Sequence, residues 1–587
     1  MRLEEIYRFL QARWDAKKCM EKVAGIWEND RFFTRDHFHK TAEFCADSMK
    51  KAGLSQVELL PLKADGETRY FDWKMPMCWE VEAATLSYAD GEPILDRREM
   101  PCCLATFCPS TPEGGVEAEV VIPLRDDPNP EKYRGKILLV AETVGKWTAF
   151  AQEHGAVGIL SDYITLFPGI RDSREDLYDE CIWLGMDHRA TVFGMHLTPR
   201  KADRLRKQLQ EGPVRLKADI RTRTYKGVSY TISGALLGED PTLPEVLVYG
   251  HLYEPGANDN ASGTGAILYA ADLLAAAVAE GTLPRPRRTV RFVMGDECWG
   301  SMGYLATHKT RKQLCGFVAD MIGTETGDRA TMSLCYDPAA NWSFADGALY
   351  ALAGIAGKYS GAFASVDSGF AIGTDNIMAD PCFSMPTVAL VASPALSYHS
   401  SMDRMDRIEP ATLSRNGLIM ASYIYGIAGA GKEMCGELET AIRQQLEDRA
   451  KKATHPRQLQ QLMQMQERAL QSLNRLVDGY YTGSTLHSQE EMPDYAREDG
   501  HRIPERLVMG ALTHRGEYNG KKYNTAWNGN LTIPCCWVDG KRTLWQITWQ
   551  AAVEKGNYTD EALKEEFFML RDYFTMLERD GYIRWTE

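Results

Sequence analysis

The stretch "YGHLYEPGANDNASG", Tyr249 to Gly263, follows the apolar run "EVLVYG" and leads into the helical text "ASGTGAILYAADLLAAAVAEG". A short apolar run, a polar loop rich in Gly and Asn, and then a helix open a strand–loop–helix unit. The rhythm returns downstream, where "TVRFVM", "CGFVADMIG" and "PTVALVAS" are apolar runs separated by helical or turn-rich text. Strands of this kind predict an α/β fold whose mixed, mostly parallel sheet is covered by helices on both faces. In such sheets functional groups gather beyond the carboxyl ends of the strands.

At 587 residues the chain exceeds what one hydrophobic core usually organises. Toward the N-terminus lie the helical patterns "IYRFLQARW" and "HFHKTAEFCADSMKKAGL", followed by the strand-like "WEVEAATLSY". From Gly114 to Tyr225 short strands, turns and helices ("YRGKILLV", "AQEHGAVGIL") predict an inserted, smaller α/β domain. The expected division is 1–113 with 226–430 as the catalytic domain, 114–225 as the insert, 431–477 as a helical extension, and 478–587 as a winged-helix-like end.

Composition narrows the function classes. Apolar residues make up 44% and charged residues 25%, the balance of a globular protein, and the formal charge is −14. That charge argues against a nucleic acid or an anionic membrane as main partner. No apolar run reads as long enough to span a bilayer, and the N-terminal text lacks the pattern of a secretory signal. The 14 cysteines show neither C-x-x-C nor a regular disulfide spacing, so a cytoplasmic protein with reduced thiols is expected.

The strand ends carry the chemistry. His251 follows "VLVYG", Asp296 and Glu297 follow "TVRFVMG", Asp320 closes "GFVAD", His399 lies just past "PTVALVAS", and Asp259 sits in the loop after His251. Two imidazoles with the carboxylates of Asp259, Glu297 and Asp320 would hold two divalent cations if one carboxylate bridges them. An all-nitrogen and oxygen ligand set suits zinc. Asp296, beside Glu297, is the expected proton shuttle.

The ordered set "GANDNASG", "GDECWGSMGYL", "ADMIG" and "YHSSMDRMDRI" resembles the co-catalytic zinc aminopeptidases of metallopeptidase family twenty-eight. The resemblance implies Asp259 as the bridging acid, Glu297 and His399 at one metal, His251 and Asp320 at the other, and Asp296 as general base. It implies an oxyanion role for Tyr398, a cis peptide between Asp259 and Asn260, and a peptide or aminoacyl substrate. Residues 114–225 are similar to the protease-associated domain inserted in such enzymes.

Three departures accompany it. Tyr253 stands where the family's His-x-Asp pattern places the carboxylate that orients the imidazole, the gap from His251 to Asp259 is short, and the base position holds Asp and not Glu. An amide hydrolase or cyclase on the same scaffold, or a degenerate binding protein, are the alternatives. "GTGAIL" lacks the third Gly of a dinucleotide fingerprint, and "GIAGAGKE" puts Glu433 where a P-loop needs Ser or Thr. No G-x-S-x-G elbow occurs. The C-terminal helical extension is compatible with self-association.

Overall fold

The structure is a computed structural model that describes residues 1–370, 373–483 and 490–586. Its centre is an eight-stranded sheet ordered Ser55–Ala64, Gly227–Leu236, Val290–Asp296, Glu245–Leu252, Gln313–Asp320, Thr387–Val391, Met332–Cys335, Ser365–Ser368. The four middle strands, Val290–Asp296 through Thr387–Val391, run parallel, and antiparallel pairings flank them. The fold class is therefore the expected one.

Both faces of the middle strands are buried, which is why the sequence shows apolar runs and not alternation. The pleat still sorts the side chains. Val246, Val248, Phe292, Met294 and Phe317 join the core beneath the helices Ala16–Asp30, Ala261–Ala279 and Pro410–Ala428. Leu247, Tyr249, Val293 and Val318 point the other way, against the helix Trp299–Thr307, Ile377 and Ala511. Ala261–Ala279 is in fact long and apolar enough to cross a bilayer, contrary to the sequence reading, but fourteen of its nineteen residues are buried in this core.

A second sheet of seven strands runs in the order Pro93–Asp96, Cys78–Tyr88, Arg215–Tyr225, Val116–Val121, Ile137–Val140, Gly158–Ser161, Phe193–His196. It includes two strands that the sequence reading left in the catalytic domain. Cys78–Tyr88 pairs along its whole length with Arg215–Tyr225, from Cys78 opposite Tyr225 to Tyr88 opposite Leu216, so the inserted unit begins near Cys78 and not at Gly114.

Beyond Pro410 come the helices Pro410–Ala428, Lys432–Lys452 and Pro456–Ser472. The last part holds the helices Gly529–Cys536, Leu544–Glu554 and Asp560–Arg579, a hairpin of Arg515–Tyr518 with Lys521–Asn524, and the pair Ile503–Arg506 with Ile583–Thr586. It packs on the catalytic part: Trp73 Nε1 donates to Ala511 O at 2.9 Å, and Arg506 Nη1 pairs with the buried Asp380 at 2.7 Å.

Candidate metal centre

The loop after Glu245–Leu252 is held by its own small polar side chains. Asn258 Oδ1 accepts from Gly323 N at 2.9 Å, Asn260 Oδ1 from Met321 N at 3.1 Å, and Ser262 Oγ from Ile322 N at 3.0 Å. These bonds lock the loop to the residues that follow Asp320. Asp403 accepts from the backbone N–H groups of Asn258 and Asp259 at 2.6 and 3.0 Å, and the peptide from Asp259 to Asn260 is cis. A Cβ on Gly263 would lie 2.1 Å from Ala319 O, so only glycine permits this approach.

Asp259 ends up between two imidazoles. Its Oδ1 is 3.3 Å from His251 Nε2 and its Oδ2 is 3.3 Å from His399 Nε2. Two groups with mutual ligand-atom distances within 4.8 Å share it: His251, Asp259 and Asp320, and Glu254, Asp259 and His399. Glu297 lines the same pocket, of about 530 Å³, without joining either group. Glu254, absent from the ligands expected from sequence, is the acid that groups with Asp259 and His399, where the resemblance implied Glu297. It lies in the loop three residues after His251, where no helix or strand period predicts which way a side chain points.

The electrostatics call for cations. Burial pushes Glu297 up to about 8 and Asp320 up to about 7, and the neighbouring carboxylates add to both shifts. Burial also raises Glu254 well above its ordinary range. At Asp259 the two imidazoles outweigh the effect of burial and hold the carboxyl low. Among the described residues no lysine or arginine pairs with Glu254, Asp259, Glu297 or Asp320, and buried Asp320 Oδ1 has no hydrogen-bond partner. Several buried carboxylates gathered around two imidazoles, with no lysine or arginine among them, have the chemistry of a divalent-cation site, so the residues present fit zinc.

The missing His-x-Asp carboxylate is replaced from elsewhere. Asp375, fully buried, places Oδ2 3.4 Å from His251 Nδ1, while its Oδ1 accepts from Cys298 N at 2.7 Å and from Ser301 Oγ at 2.5 Å. That is the role such outer carboxylates play at metal-ligating histidines.

Asp296 is set apart from the pocket. Both of its oxygens lie 3.1 Å from Arg35 Nη1, and Oδ2 accepts from Ser229 Oγ at 2.8 Å, all three side chains being buried. A carboxylate so engaged does not meet pocket water, which corrects the expectation of Asp296 as base. Arg35 comes from a helix 261 positions upstream, and sequence offered no sign of the pairing. Glu297, the next residue, turns into the pocket, and among the described residues no donor meets its carboxylate.

His399 is held from the inserted unit. Trp183 N donates to His399 O at 3.0 Å and the Trp183 ring lies 4.2 Å from the imidazole. Arg171 Nη2 donates to Tyr398 O at 2.8 Å and Arg171 Nε to Leu396 O at 3.1 Å. Tyr398 stacks on His399 at 3.8 Å and lines the pocket. Met321, Cys335 and Val391 form an apolar wall, and Trp527, 48% exposed, reaches the pocket from the C-terminal part.

Comparison with known proteins follows the same lines. Residues 233–424 match peptidase family M28, and no curated protein sequence matches the chain. Among solved structures, a Clostridium acetobutylicum chain aligns over 100% of both chains at 14% identity and TM-score 0.49. A zinc aminopeptidase from Bacillus subtilis aligns over 70% of this chain and 94% of its own at 19% identity and TM-score 0.48. A glutaminyl cyclase of Bacteroides thetaiotaomicron aligns over 35% of this chain and 79% of its own at 19% identity and TM-score 0.28. All six ligand and pocket positions, His251, Glu254, Asp259, Glu297, Asp320 and His399, lie inside residues 233–424, the span that matches peptidase family M28.

Proposed function

We propose that this chain is a dinuclear zinc aminopeptidase that removes N-terminal residues from peptides. The observation that carries the reading is Asp259, whose two oxygens each lie 3.3 Å from a different imidazole and belong to two separate ligand groups. His251 and Asp320 would hold one ion, Glu254 and His399 the other, with Asp259 shared. Bound there, the ions would polarise a scissile carbonyl and lower the pKa of water toward about 7.

The chain's own residues supply the rest. Glu297, which lines the pocket, takes the proton of the attacking water and passes it to the leaving amine. Asp375 fixes the ring of His251. The hydroxyl of Tyr398 donates to the oxyanion as it forms. Met321, Cys335 and Val391 give the pocket apolar lining, and a volume of about 530 Å³ suits a terminal residue better than the middle of an extended chain. All fourteen cysteines are free and thirteen are buried, which supports a cytoplasmic location.

Metal analysis and hydrolysis of aminoacyl-amide and N-blocked substrates test the reading together. Two zinc ions per chain with turnover of free-amine substrates alone is the expected result. Cleavage of blocked substrates, or a single ion with full activity, would overturn it.

A further inference from the structure

A second cavity, of about 570 Å³, opens at the far ends of the strands that bear the metal centre. Gln313, which lines it, begins the strand that ends at Asp320, and Pro244, also on its wall, precedes the strand that carries His251. Its apolar surface is made by Phe71, Leu305, Phe383 and Met509; the Phe71 and Phe383 rings lie 5.2 Å apart and Met509 is 44% exposed. Phe71 and Ser384 both hold left-handed backbone, φ 53° and 52°, a costly conformation for non-glycine residues that clusters at ligand clamps.

The rim is basic in a protein of charge −14. Lys309 and Lys312 are exposed and make no ion pair among the described residues. Arg475 Nη2 donates to two carbonyls, Leu314 O at 2.6 Å and Ser384 O at 2.7 Å, and meets no carboxylate among those residues. Arg311 shares Glu58 with His308, at 3.4 and 3.1 Å. Four permanent cations thus face one carboxylate over an apolar floor.

We propose that this cavity binds a small amphiphilic anion, a carboxylate head on Lys309 and Lys312 and an apolar body on Phe71, Phe383 and Met509. Its volume lies within the roughly 300–1,000 Å³ of small-molecule sites, and it forms where the catalytic part, the helical extension and the C-terminal part meet, a common place for such sites. The charge pattern selects the head and the floor selects the body. A fatty-acyl carboxylate and the carboxylate end of a short apolar peptide share this chemistry.

Titration calorimetry on the zinc-loaded full chain tests it with decanoate, N-acetyl-Leu-Phe and, as the charge control, decyltrimethylammonium. At least one carboxylate binds, more tightly than the cation, and the tighter of the two names the source. K309E/K312E, altering two exposed unpaired side chains, weakens that binding at least tenfold, and Met509→Asp weakens it as well, while both variants retain the parent Tm. The proposal is overturned if neither carboxylate binds, if the cation binds as tightly, or if K309E/K312E binds the carboxylates as the parent does; the last result would mean that they sit at the metal centre.

Discussion

His251 and Asp375 face each other across 3.4 Å, Nδ1 to Oδ2, with both side chains sealed from solvent. The pair fixes the ring whose other nitrogen points at Asp259 and Asp320. Asp375→Ala should therefore lower zinc affinity about 10–100-fold. Competition against a chromogenic chelator measures this, and unchanged affinity would show that the ring is fixed by packing alone.

Glu297 and Asp296 are neighbours with opposite expected phenotypes. On the proposed mechanism Glu297→Gln should cut kcat by about 10²–10⁴ without loss of bound metal, because Glu297 joins neither ligand group. Asp296→Asn leaves Arg35 buried without its carboxylate and should cost about 3–5 kcal/mol of stability, read by urea unfolding, with the folded fraction still active. The reverse pattern would restore Asp296 as base.

Removing the metal should destabilise the fold. Binding at 100 times Kd contributes about 2.7 kcal/mol for one site. Chelation should also leave the carboxylates of Glu254, Asp259, Glu297 and Asp320 facing one another. A Tm that does not fall on chelation and recover with zinc would argue against an ion at this cluster.

A pH dependence follows from a second pair of buried acids, away from the site. Asp346 is pushed up to about 6 by burial, and Asp337 well above its usual range by burial and by Asp346. Asp337 Oδ1 accepts from Thr387 N at 2.7 Å, and its buried Oδ2 has no hydrogen-bond partner. With both folded pKa values raised, the native state holds protons that the unfolded chain gives up near pH 4. The pair's stabilisation is thus present at low pH and lost as pH rises through about 6 and beyond. Asp337→Asn should gain in Tm relative to the parent as pH goes from 5 to 8, and a constant difference across that range would contradict the assignment.

Trp527 should influence selectivity. Its ring packs edge-on to Trp73 at 5.3 Å, and Trp73 packs edge-on to Trp299 at 5.7 Å. Trp527→Ala should lower kcat/KM for peptides with bulky apolar residues by about 5–100-fold relative to alanyl peptides, the range a single apolar contact supplies, and Trp527→Phe should recover part of it. An equal loss on both substrates would reduce the indole to a structural prop.

What sequence disclosed follows from where each residue lies. His251, Asp259, Asp320 and His399 sit at or just beyond strand ends, and a buried strand announces its end through the change from apolar to polar text. Glu254 and Asp375 sit in irregular backbone, where no period assigns direction, and Asp375 meets His251 from 124 positions away. Asp296 was misread for a related reason: adjacent acids at a strand end face different ways, and only Arg35 reveals which one turns inward. The inserted sheet was legible from its parallel strands, whereas Cys78–Tyr88 belongs to it through a partner strand that begins more than a hundred residues later.

The contact of residues 181–183 with 399–401 bears on how this enzyme can be trimmed. An insert joined only at its two strand connections would be a detachable accessory, and deleting it would leave a minimal catalyst. Here the insert supplies the ring beneath His399 and, through Arg171, the guanidinium that holds the backbone on either side of Ser397. Excising it would remove part of the floor on which His399 rests.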